Sequence, residues 1–143
     1  MSKKSHLVLI ELMIMLLIFS LTAALCLQVF AWSSDEAENI ENRDKAMLKA
    51  QTAAEIIKAF GGDFAEAAEE LGGAYSAADD ELVVCYTVDW ECSEAADVAA
   101  YWQFRLTAKR DASDALLERA EISVESQDGE MIFQIPVCWQ KVM

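Results

Sequence analysis

From Leu7 to Trp32 the chain runs 26 residues with one charge, Glu11, and three weakly polar positions, Ser20, Thr22 and Gln28. A bilayer core needs roughly 20 apolar residues in a helix, so this segment is long enough to span a membrane. Lys3 and Lys4 precede it and the acidic stretch "SSDEAENIENRDK" follows it. The positive-inside bias then predicts a plasma-membrane protein with a single pass, a short cytoplasmic N-terminus and an extracellular C-terminal portion. A cleaved secretory signal instead has an apolar region of about 7 to 15 residues ending at a small-x-small site. Here the run is longer, Glu11 interrupts its early part, and "QVFAWSS" lacks Ala-x-Ala.

The acid is the feature that a plain anchor leaves unexplained. An ionisable side chain inside a span costs a few kcal/mol on insertion scales, which makes it a functional candidate by default. Snorkelling towards the nearby cytoplasmic interface lowers that cost, because Glu11 lies only about one turn into the span.

The remaining charge excludes several classes of function. After Trp32 there are nine Lys and Arg against 24 Asp and Glu, leaving −15 on a chain whose total is −14. Such a surface disfavours nucleic acid or an anionic membrane surface as a partner. The only histidine is His6, so the C-terminal portion has no imidazole for a Ser-His-Asp triad, a Cys-His pair or a His-type zinc site. No Cys-x-x-Cys occurs, and "AADDE" and "DWE" lack the spacing of a calcium loop and read as solvated surface. No enzymatic activity, cofactor or metal is expected.

The stretch "LVLIELMIMLLIFSLTAA" resembles the N-terminal segment of type IV pilins and of the pseudopilins of type II secretion systems. In that family a short basic leader precedes a cleavage point, and an apolar helix follows with Glu four residues after the new N-terminus. The resemblance covers about the first 60 residues and is architectural beyond them. It implies a leader of Met1 to His6, processing between His6 and Leu7, and Glu11 as the assembly acid that meets the α-amine of a neighbouring subunit. The family's leader ordinarily ends in Gly, whereas this one ends in His6, and Leu7 stands where Phe is usual. Cleavage by a tolerant peptidase and retention of the leader both stay open. If the leader is retained, that amine is absent and Glu11 needs another partner, such as Lys4 of a neighbour. The resemblance further implies other pilin-like subunits, a prepilin peptidase and an assembly platform protein as partners.

Periodicity gives the rest of the layout. Between Leu7 and Phe60 there is no Gly or Pro, so one helix can run through the whole stretch, although Ser33-Ser34-Asp35 could cap a second one. Ile40, Met47, Ala50, Ala54 and Ile57 form its expected apolar stripe, and Gly61-Gly62 is its stop. "DFAEAAEEL" reads as a second short helix. Four alternating runs follow, with these residues inward: Leu82, Val84, Tyr86, Val88 and Trp90; Trp102, Phe104, Leu106 and Ala108; Ala120, Ile122 and Val124; Met131, Phe133, Ile135, Val137 and Trp139. Tyr101 is an expected outward contact residue. Asp128-Gly129 signals a hairpin, and Pro136 places the last strand at an edge. Cys85 and Cys138 fall on outer strand faces, Cys26 lies in the span, and a Cys85–Cys92 disulfide across a strand end is sterically allowed.

The expected fold is thus α+β: a long N-terminal helix over a four-stranded antiparallel sheet, pilin-like, with the helix stripe covering the sheet's apolar face. Its divisions are a leader (1–6), a transmembrane helix (7–32), an amphipathic continuation with a second short helix (33–71) and a β domain (72–143). Two functions fit: a structural subunit, expected to be minor, of a pilus or secretion pseudopilus, or a membrane-anchored extracellular binding module. They part at Glu11, which only the first requires.

Overall fold

The computed structural model describes residues 2–93, 102–111 and 116–140. The fold is α+β with two compact units, Met1–Glu41 and Asn42–Met143. Helix α1 covers Ser2–Ala59 without a break at Ser33-Ser34-Asp35, since good helix formers on both sides outweigh a local cap. It ends where Gly61 and Gly62 take positive φ values, 62° and 88°. Asp63 then caps helix α2, Phe64–Leu71, its Oδ1 accepting from the backbone N–H groups of Ala65 (2.9 Å) and Glu66 (3.3 Å).

The second unit carries a five-stranded antiparallel meander: β1 Ala74–Ser76, β2 Glu81–Tyr86, β3 Phe104–Asp111, β4 Leu117–Ser126 and β5 Met131–Gln140. The extra strand relative to the sequence reading is β1, whose three residues pair with Ser76 opposite Glu81 and are too short to show a period. β5 is an edge as expected, with Pro136 opposite Glu121. The register stacks the apolar face: Leu106 lies between Val84 and Val124, and Ala108 between Leu82 and Ile122.

The helix covering that face uses alanine. Ala46, Ala50, Ala53, Ala54 and Ile57 are buried in the same core as Leu82, Val84, Leu106, Ile122 and Val124. The expected stripe is therefore right at Ala50, Ala54 and Ile57 and wrong at Ile40 and Met47, which are 54% and 40% exposed. The buried set follows i, i+4, i+7, i+8, i+11 from Ala46, and small side chains let a helix sit close to a sheet. Met47, next to the buried Ala46, stays outside the covered stripe.

Three other inward assignments also fail. β2 ends at Tyr86, and the chain turns through Thr87, leaving Val88 exposed at the tip before Trp90 returns to the core. Trp90 holds φ 61°, an uncommon value for a bulky residue, and is fixed by stacking on Phe104 (centroids 4.1 Å apart, planes 12°) and by its indole N–H donating to Asn42 Oδ1 at 3.3 Å. Met131 is exposed because the β4–β5 register shifts at Val124/Glu125, a bulge that changes which face the strand's start presents. Trp102 is half-buried outside the core cluster, against the Arg105 guanidinium at 4.3 Å. Tyr101 lies outside the described residues.

Tyr86 gives this core a measurable signature. Burial, reinforced by the neighbouring thiols of Cys92 and Cys85, pushes its hydroxyl up to about 12 from 10.0. Because the folded value exceeds the unfolded one, the unfolded chain releases the proton first. Stability is untouched below pH 10 and falls by about 2 kcal/mol as pH rises towards 12. Comparing unfolding midpoints of the native chain and Tyr86→Phe across this window should show the alkaline loss shrinking in the variant.

Candidate functional site

The first unit places Glu11 on a helix whose surface is apolar all round. Leu7, Phe19, Phe30 and Trp32 are 67%, 73%, 75% and 70% exposed, as are their neighbours to similar degrees. Helix α1 is long and apolar enough near the N-terminus to cross a membrane. In water such a surface is strongly unfavourable; in lipid it is the expected one, because every backbone polar group is satisfied within the helix.

The polar residues of this run are not equivalent. Ser20 Oγ donates to Leu16 O (2.9 Å) and Leu17 O (3.0 Å), and Thr22 Oγ1 to Ile18 O (3.1 Å) and Phe19 O (2.9 Å). Their hydroxyls are absorbed by the helix that carries them. Glu11 cannot do this, since an ionised carboxylate only accepts and every nearby N–H is already used by the helix. Among the described residues nothing donates to it. His6 and Leu7 lie within α1, exposed, with no turn between them. Lys4, seven residues before Glu11, falls on nearly the same face two turns away.

The second unit holds a polar cluster that the sequence did not single out. Arg110, on the core-facing side of β3, donates through Nε to Asp80 Oδ2 (2.8 Å), through Nη1 to Glu118 Oε2 (2.5 Å) and through Nη2 to Gly62 O (2.8 Å). Its guanidinium lies over Phe64 at 4.8 Å and near Trp139 at 5.9 Å. Trp139 Nε1 donates to the same Glu118 oxygen at 3.2 Å, and Tyr75 OH donates to Asp80 Oδ1 at 3.0 Å. That bond to Asp80 is the main reason the Tyr75 hydroxyl titrates above its usual value. With all three guanidinium nitrogens and both carboxylates engaged, the cluster ties β1, β2's approach, β3, β4, β5 and the α1–α2 turn together, a structural role.

Among the described residues the four cysteines form no disulfide, and Cys92 Sγ donates to Leu71 O (3.4 Å) and Gly72 O (3.2 Å). Cys92 bridges Tyr86, so it shares Tyr86's core-facing side while Cys85 points the other way, and the Cys85–Cys92 disulfide that the spacing allows does not form. Cys85 sits on the outer sheet face as expected yet is buried, which pushes its thiol up against the lowering effect of Arg105. Cys26 and Cys138 are exposed, and β3 and β4 separate Cys138 from Cys85. Among the described residues no three His, Cys, Asp or Glu side chains converge as a metal site.

The chain is therefore an α+β protein with, among the described residues, one helix long and apolar enough to cross a membrane. No protein-family model matches it, and neither does any curated protein or solved structure.

Proposed function

We propose that this chain is a pilin-like structural subunit, held in the plasma membrane by Leu7–Trp32 and assembled with like subunits through that helix, with Glu11 as the contact between them. The observation that carries this reading is a single carboxylate, without a partner among the described residues, on an otherwise apolar helix surface. A span that served only as a tether would gain a few kcal/mol of insertion energy by losing the acid. An acid kept there favours one axial register among packed helices, as buried polar groups do in coiled coils. The resemblance of the N-terminal segment to type IV pilins and pseudopilins supports the same conclusion, with the −15 portion facing the extracellular side. Nothing in this plan calls for catalysis, a cofactor or nucleic acid.

Glu11→Ala is the test. Its membrane fraction should match the native chain's, while its co-purification with native copies, read by differential tags, should fall at least tenfold. Equal recovery of both would leave the membrane-tethered binding module as the better description.

A further inference from the structure

We propose that the outer face of the sheet binds a neutral saccharide at Trp102, Arg105 and Glu125. This site is independent of the membrane helix and of how copies assemble.

Arg105 is the starting point, because a guanidinium is always charged and always needs acceptors. On the outer face of β3 it stands in register between Cys85 of β2 and Glu125 of β4. Opposed side chains in an antiparallel pair have Cβ atoms about 4.5–5.5 Å apart, near enough for an arginine and a glutamate to meet. Among the described residues these two form no ion pair, and the guanidinium is turned instead onto the Trp102 ring, 4.3 Å from its centroid. Arg105 Nε is buried without a hydrogen-bond partner, and the buried Cys85 thiol beside the guanidinium is a weak acceptor for a full charge. An orphaned charged donor marks an acceptor that the chain itself does not supply.

Charge decides the class of ligand. A bare anion drawn to Arg105 meets Glu125 next to it and a portion of the chain carrying −15 around it, while a bare cation drawn to Glu125 meets Arg105. A hydroxyl suits both, since its oxygen accepts from the guanidinium while its hydrogen is donated to the carboxylate. Arg105, Glu125 and Trp102 are all half-buried, so each keeps part of its surface open to such a group. Thr107 and Ser123, opposed in the next row of the same face, add two half-buried hydroxyls. Beside these polar groups Trp102 offers an apolar aromatic surface. A ligand with a rim of hydroxyls and a flat face of C–H groups matches this set, and a pyranose ring has that form. Arg105 and Glu125 lie on paired strands, so their spacing is fixed before the ligand arrives, which lowers the cost of binding.

The test is a calorimetric titration of the full chain in lipid nanodiscs, free of glycoside detergent, with cellohexaose, maltohexaose and N-acetylchitohexaose as neutral probes. At least one should bind saturably below about 1 mM, and hexagalacturonate, which carries a carboxylate on every ring, should bind at least about tenfold more weakly. Trp102→Ala, Arg105→Ala and Glu125→Ala should each weaken binding of the neutral probe at least about tenfold. Glu125→Gln, whose amide oxygen still accepts, should recover part of that loss, and Lys58→Ala on α1 should change nothing. Should either Trp102→Ala or Arg105→Ala alter the near-UV circular dichroism, Trp102→Phe gives a second measurement, because the saccharide-induced change in tryptophan emission should shrink with it. An emission change that Trp102→Phe leaves unaltered overturns the site, as does binding that all three alanine variants retain. Tighter binding of hexagalacturonate than of every neutral probe overturns the ligand class. No binding of any neutral probe at about 5 mM overturns the proposal outright and leaves water as the acceptor for Arg105 Nε. The assembly reading stands under each of these results.

Discussion

Replacing Arg110 with Met should lower the stability of the folded chain by about 3 kcal/mol. Removing one partner of a buried ion pair typically costs about 3–5 kcal/mol, because the other charge stays behind without compensation. The lower end applies here: Glu118 is 15% exposed and would be stranded beside the Trp139 indole, but Asp80, at 42%, regains water. Gly62 O loses its donor as well. For a unit of about 100 residues this corresponds to a melting-point drop of roughly 10–20 °C. Thermal unfolding in detergent, followed by near-UV circular dichroism, measures it. Arg110→Lys should recover only part of the loss, since an ammonium cannot reproduce the three-way fork. A change under about 1 kcal/mol in Arg110→Met would mean the cluster is a surface arrangement with little energetic weight.

Gly62→Ala should destabilise the chain to a similar degree, by about 2–4 kcal/mol, from two causes that add. Gly62 has φ 88°, outside the range comfortable for a residue with a side chain. A Cβ there would also lie 2.3 Å from Trp139 Nε1 and 2.5 Å from its Cε2, so the indole has to leave its place beside Glu118. Gly129→Ala separates the causes. With φ 80° and nothing within 4 Å of a Cβ, it carries backbone strain alone and should cost only about 1 kcal/mol. Combined with Arg110→Met, Gly62→Ala should be clearly less than additive, because both changes dismantle one cluster. Full additivity would contradict the packing described here.

These two effects were invisible in the sequence for a physical reason. Period-two alternation reports which face a side chain takes, and it placed Leu82, Val84, Leu106, Ile122 and Val124 correctly. It says nothing of what meets across the core. Arg110 stands 30 residues from Asp80 and 48 from Gly62, and only the meander's register brings them together. At the ends of elements the same method failed where local geometry took over, in the turn that exposes Val88 and the bulge that exposes Met131. The candidate site behaved differently. Glu11 stands out because a charge in an apolar run contrasts with its surroundings without any tertiary information, whereas His6 and Leu7 are marked only by the resemblance of the N-terminal segment, and the helix through them adds only which residues share a face.

The sheet's two borders have a bearing on life at high density. β1 offers three residues for pairing, and β5, though ten residues long and uncharged, has a proline ring near its middle that interrupts the row of amide donors. Where many copies are crowded side by side, strands from adjacent molecules find little purchase on one another. The β unit is thus protected from merging into a continuous fibre of sheets.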